Sequence, residues 1–138
     1  MRDFVTFSIG GHDYATRVDQ VREVVRLAEL VALPGMQAPF AGVLDLRGRS
    51  LPVIDVRPPG GEGTGDVLVL GGPGDELGFV CDRVMEVVDA DSLTPEEGAV
   101  SSGTGLPTYV EQVLRGSGGP VFLVDVRAMA GNPELPQT

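Results

Sequence analysis

The sequence predicts an all-β fold built from two similar halves, and three observations carry that reading. Apolar residues come in short runs rich in valine, leucine and isoleucine, with little helical periodicity. Glycine and proline, 20 and 11 of 138 residues, separate those runs at nearly twice their usual combined share of about 12%. A set of short strings also recurs in the same order in both halves of the chain.

In chain order, residues 4–9 form the first run of strand length, closed by Gly10-Gly11-His12-Asp13, where glycine supplies positive φ without steric cost. Residues 17–26 could hold a helical turn. Strand-length runs follow at 42–46, 51–56 and 67–70, then at 77–81, 84–88, 109–114 and 121–126, each bounded by turn residues. Residues 71–75 read as a second hairpin turn. A short helix is expected after Asp125, and the end of the chain, with two prolines, reads as a frayed tail. The expected organisation is one domain over residues 1–131 and a flexible tail over 132–138.

The internal echo is the most informative feature. Asp19-Gln20-Val21-Arg22-Glu23-Val24-Val25 recurs as Asp82-Arg83-Val84-Met85-Glu86-Val87-Val88. Leu46-Arg47-Gly48 recurs as Leu114-Arg115-Gly116, and the Pro52 to Arg57 string as Pro120 to Arg127. The ordered set implies two similar β-units, joined near residues 58–66 or folded through one another. A five-stranded sheet alone buries little apolar area, so exchange of strands around a shared core is the more stable arrangement. The space between the units would then offer an apolar, preformed place for a partner.

Composition excludes several function classes. The formal net charge is -10, all ten basic residues are arginine, and no basic stripe exists to meet nucleic acid or an anionic membrane surface. No run approaches the ~18 apolar residues of a membrane span, so no membrane insertion is expected. A single cysteine cannot make an internal disulfide, and residues 1–11 lack the features of a signal peptide, which together read as a cytoplasmic protein.

No catalytic constellation emerges, and the chain reads as a non-enzyme without cofactor or metal. His12, the only histidine, sits in an expected exposed turn without an orienting partner. Cys81 lies mid-strand and reads as a buried structural thiol. The Val67 to Gly74 string imitates a strand leading into a phosphate loop, but the third glycine position holds Leu77 and Pro73 lacks an N–H. Asp82, Asp89 and Asp91 lack the pattern of a calcium loop. What remains is a binding module, in which Glu23, inside the apolar run 21–25, and Arg47, before Gly48, stand out as charges set among strands.

The string FAGVLDLRGRSLPVIDVR at 40–57 resembles the central signature of the CheW family, where an LRG turn precedes a strand of the P-V-I-D-hydrophobic-R pattern. FVTFSIGGHDYATRVDQVREVV resembles that family's first hairpin and its hydrophobic-x-Glu-hydrophobic segment. LGFVCDRVMEVV is similar to the signature of the second half, and Tyr109 with VFLVDVRAM to the closing strands. The resemblance implies two intertwined five-stranded SH3-like β-barrel subdomains with one or two short helices. It also implies a non-catalytic chemosensory adaptor. Its partners would be the cytoplasmic domain of a chemoreceptor (a methyl-accepting chemotaxis protein) and the regulatory domain of a CheA-type histidine kinase. Carried over by position, Val21, Glu23, Val24 and Arg47 match receptor-binding positions, and Val18 and Leu30 match apolar positions on the kinase-facing barrel.

One stretch departs from the family. The connection Pro58-Pro59-Gly60-Gly61-Glu62-Gly63-Thr64-Gly65 is short and cannot hold the helical piece that members usually carry there. A reduced adaptor that binds receptor but not kinase is therefore an alternative. From another class, a small-molecule-binding β-barrel remains, against which count the few aromatic residues available to line a pocket.

Overall fold

A computed structural model describes residues 3–58, 64–71, 75–96 and 107–130. The strands among them are β1 (Asp3–Ile9), β2 (His12–Arg17), β3 (Val21–Arg26), β4 (Phe40–Leu46), β5 (Arg49–Ile54) and β6 (Asp66–Leu70). They continue with β7 (Leu77–Cys81), β8 (Arg83–Asp89), β9 (Thr94–Pro95), β10 (Val110–Gly116) and β11 (Gly119–Val124). One helix, α1 (Val126–Met129), follows, and single 3-10 turns at Val18–Gln20 and Ala90–Ser92 precede β3 and β9.

The strands form two sheets, each drawn from both halves of the chain. The first runs β8-β1-β2-β11-β10-β9 and the second β3-β6-β7-β5-β4. The β1–β2 hairpin thus lies between strands of the C-terminal half, and β6–β7 between strands of the N-terminal half. Both sheets repeat one scheme: antiparallel hairpins joined by a single parallel contact, β2 with β11 and β5 with β7. Each sheet then closes on itself. The segment leaving β8 returns as β9 to pair with β10, and the segment leaving β3 returns at Val31 to bridge Val43 of β4. The result is two interlocked, SH3-like barrels of six and five strands rather than the five each that the sequence suggested, here called the first and second barrel in the order of the sheets above.

The echo extends to backbone irregularities. Register shifts at Arg22 of β3, between Val21 and Glu23, and at Met85 of β8, opposite Thr6 and Phe7, fall at matching places in the repeated string. A second pair of shifts falls at Ala41 and Glu111. Part of the echo is out of step, however. The closing pairs of the two equivalent hairpins are Leu46↔Arg49 and Gly116↔Gly119, so Arg47-Gly48 corresponds to Ser117-Gly118. Arg115 lies inside β10 opposite Pro120, whereas Arg47 lies in the turn. The recurring LRG string is therefore not a structural repeat, although the Asp-Val-Arg of 55–57 and 125–127 is.

Packing follows the alternation of the strands. A shared core between the sheets takes Val5, Phe7 and Ile9 from β1, Leu68, Leu70 and Phe79 from the other sheet, and Val126, Met129 and Ala130 at the C-terminal helix. Leu44, Leu51, Val53, Val67 and Val80 fill the second barrel, and Ala15, Leu114, Val121 and Leu123 the first. A polar clasp ties the halves. Asp82 accepts from Gly10 N at 2.7 Å and from Arg57 Nη1 at 3.1 Å, and its own N–H donates to the Ser8 carbonyl at 2.9 Å. The Arg57 side chain, only 4% exposed, also donates Nε and Nη2 to the Asp55 carboxylate at 3.0 and 2.9 Å. A forked pair of this kind fixes geometry as well as charge.

One expectation is met in part and another is corrected. Residues 17–26 hold one 3-10 turn and then β3, because alternation of half-buried and exposed residues along Val21–Arg26 matches a strand paired with β6. His12 is the first residue of β2 rather than a turn residue, since Gly10 and Gly11, at φ 59° and 84°, complete the turn themselves. The helix expected after Asp125 is present, with Asp125 Oδ1 accepting from Ala128 N at 3.3 Å as its N-cap. The expected turn at 71–75, the connection at 58–65 and the tail at 131–138 lie wholly or partly outside the described residues.

Candidate functional site: a charged end of the second barrel

Leu46↔Arg49 leaves a two-residue turn, and Arg47 and Gly48 both take positive φ, 53° and 87°, as a type I′ hairpin requires. Asp45 Oδ1 accepts from Gly48 N at 2.9 Å and braces the turn. Arg47 reaches from it to Glu23 on β3, Nη2 to Oε2 at 2.7 Å. The structure thus brings together the two charges that the sequence singled out. Arg47 is 63% and Glu23 32% exposed, so this pair contributes under about 1 kcal/mol to folding. Beside it, Glu76 takes Arg49 Nη1 at 2.6 Å and Arg22 Nε at 3.5 Å. One end of the barrel is therefore an ion-pair network carrying three arginines in a strongly acidic chain.

The bulge at Arg22 decides which way the neighbouring side chains point. Glu23 pairs with Val69 and Val25 with Val67, both in the second barrel's interior cluster. Val21 pairs with Leu70 and Val24 with Leu68, both in the shared core. Val21 and Val24 thus lie on the face of β3 opposite to Glu23. Val21 packs on the shared core, while Val24 is 43% exposed. Its counterpart in the repeat, Val87 of β8, pairs with Val5 of the shared core and is 60% exposed. Sequence reasoning left Val87 out although the echo aligns it with Val24. It also missed Val31 and Leu33, exposed on the segment after β3.

Val18 and Leu30 do not share a barrel. Val18 follows β2 of the first barrel and packs against the shared core, whereas Leu30 covers Gly42 of the second. The expectation that one barrel presents both is corrected. The strand exchange causes this, since residues close in sequence around β2 and β3 enter different barrels.

The other candidate residues are placed as follows. His12 is exposed, its ring edge-on to Phe122 at 6.4 Å. Cys81 is buried, and desolvation, with the Asp66 and Asp82 charges, pushes its thiol up to about 12, which disfavours the nucleophilic thiolate. Asp89 accepts from Asp91 N at the start of a 3-10 turn, while Asp82 belongs to the clasp. Among the described residues no cluster of histidine, cysteine or carboxylate could hold a metal ion. Nor, among them, is any helix long and apolar enough to cross a membrane.

Comparison with known proteins agrees with this architecture. The family model described as the CheW-like domain matches residues 3–134. The chain is 24% identical over 131 positions to "Chemotaxis protein CheW" of Bacillus subtilis (strain 168), covering 91% of this chain and 84% of that one. It is 24% identical over 144 positions to the protein of the same name from Treponema pallidum (strain Nichols), covering 95% and 83%. Among solved structures, the scaffolding protein TtCheW from Thermoanaerobacter tengcongensis superposes with a TM-score of 0.70 at 22% identity, over 91% of this chain and 84% of that one. With the match spanning both barrels and the strands they exchange, the chain belongs to the CheW-like domain family.

Proposed function

We propose that the protein is a non-catalytic, cytoplasmic adaptor of a bacterial chemosensory system that couples chemoreceptor cytoplasmic domains to a CheA-type histidine kinase. The observation that carries this reading is the family match across residues 3–134, alongside curated relatives named as chemotaxis proteins. The receptor would dock around β3, meeting Val21 and Val24 on one face and the Glu23–Arg47 pair on the other. Apolar burial would supply affinity there and the charged pair orientation. Val18 and Leu30, on separate barrels, would each offer an apolar contact to the kinase regulatory domain.

Charge reversal tests the receptor site. Glu23→Arg and Arg47→Glu each break a pair that folding scarcely needs. Each is expected to weaken co-purification with a receptor cytoplasmic domain at least about tenfold while the circular dichroism spectrum stays unchanged. Wild-type affinity in both variants would remove these residues from the site. The short connection between β5 and β6 keeps a receptor-only adaptor as a second reading. Titration with the isolated kinase regulatory domain separates the two, since micromolar or tighter binding rules out the reduced form. A saturable thermal shift with a small metabolite would instead favour a ligand-binding barrel.

A further inference from the structure

The two barrels differ at one place where strict repetition would make them alike. In the second barrel Leu27 is buried and packs with Val53, Val67 and Val80. The register places Ala90, Leu123, Phe4 and Arg17 at the corresponding positions of the first barrel, since the pair Phe4↔Arg17 matches Val67↔Val80 and Leu123↔Ala15 matches Val53↔Gly78. Those four residues line a cleft of about 250 Å³, together with Asp3, Val18, Asp19 and Gln112. The cleft exists because Ala90 ends at a methyl where Leu27 fills the space. Arg17 also leans out to Glu111, at 2.6 Å, where Val80 stays inside.

Its chemistry is that of a site for a long cationic side chain. Phe4, Val18 and Leu123 supply apolar lining, and Asp3 and Asp19 supply carboxylates. Among the described residues neither of those carboxylates makes a side-chain hydrogen bond or an ion pair, while the Arg17 charge is matched by Glu111. The second barrel shows what the position accepts. Asp82, the counterpart of Asp19 in the repeat, receives the Arg57 guanidinium, and Asp55 holds it from the other side. In the first barrel the corresponding arginine, Arg127, is carried away in α1 to Asp75 at 3.3 Å, and Asp125 is occupied as the helix cap. Asp19 therefore lacks the guanidinium that its counterpart has.

We propose that this cleft receives an arginine side chain presented by a partner protein, with the guanidinium on Asp19 and Asp3 and the methylenes against Phe4, Val18 and Leu123. Arginine fits better than lysine. Its planar fork matches a carboxylate, it stacks on an aromatic face such as Phe4, and its stem covers apolar surface. The inference goes beyond the adaptor reading and stands without it, because its test needs neither receptor nor kinase.

The test is a titration of the isotopically labelled full chain with Nα-acetylarginine methylamide, followed by amide chemical shifts. Saturable shifts are expected at Phe4, Val18, Asp19 and Ala90, with a Kd on the order of millimolar for so small a probe. Ala90→Leu, which installs the second barrel's filling side chain, should abolish them. Asp19→Asn, an exposed change that leaves packing alone, should weaken binding at least about fivefold, and the lysine analogue should bind at least about threefold more weakly than the arginine probe. Absent shifts, equal shifts in Ala90→Leu or Asp19→Asn, or equal binding of both probes would overturn the proposal. Arg2 lies outside the described residues, so the titration is repeated with Arg2→Ala. Unchanged binding is expected there, and binding seen only in that variant would give the cleft to the chain's own terminus and overturn the proposal.

Discussion

Cys81 shows how a single side chain turns burial into a pH dependence. Its thiol sits at the end of β7 with no exposed surface, and Asp66 and Asp82 add unfavourable charge for a thiolate. The folded-state pKa, about 12, therefore lies above the unfolded value of ~8.5. The sign follows from linkage. Below ~8.5 both states hold the proton and the contribution is complete, and above it the unfolded chain releases the proton first, so stability falls as pH rises toward 12. Wild type should lose up to about 1.4 kcal/mol per pH unit more than Cys81→Ala does above pH 9, measured by urea unfolding. Equal slopes would show that the thiol ionises as freely in the folded protein. The burial of Cys81 was legible from its place between Val80 and Asp82 on an apolar strand. The missing atoms at Ala90 were not, because a small residue signals a cleft only once its counterpart, Leu27, is known to fill the same space.

Turns and bulges, more than strand content, set what each element presents. The β4–β5 hairpin needs positive φ at both turn residues, and Gly48 supplies the second at 87° with open space around it. Gly48→Ala meets no neighbour, so its cost is conformational, about 1 kcal/mol in thermal or urea unfolding. A loss near zero would mean that the turn adopts another form. The bulge at Arg22 sends Val24 and Glu23 to opposite faces, and sequence alternation alone does not reveal such an extra residue. β3 was the element least legible beforehand, while β2 was expected only as the second strand of the first hairpin and not from an apolar run of its own. β2, with His12, Asp13, Thr16 and Arg17, has too few apolar residues to stand out, and β3 interleaves valines with Arg22, Glu23 and Arg26, a spacing that also suits a helical turn. The apolar strands β1, β5, β6 and β7 were plain because both their faces meet a core.

The molecule as a whole is held by exchange. Neither half closes a barrel alone, since β1–β2 completes the sheet of the C-terminal half and β6–β7 that of the N-terminal half. A protease site placed in the connection at 59–63 should therefore yield, after cleavage, two pieces that stay together in gel filtration and melt as one unit. Pieces that separate and remain folded would contradict the exchange. The ordered repeats made two like units legible from sequence, and the little area a lone small sheet buries favoured interlocked over adjacent units, as the pairing of β1 with β8 and β3 with β6 bears out. One string, LRG, misled by two positions because identity at a turn is a weaker guide than the register of the hairpin it closes. The functional reading also belongs to this scale, for an adaptor must engage two partners at once on a body that small. Gel filtration of the protein mixed with a receptor cytoplasmic domain and a CheA-type kinase regulatory domain, at tens of micromolar each, tests it most directly. Co-elution of all three in one complex is the expected result, and separate elution of the protein from both partners would contradict the account.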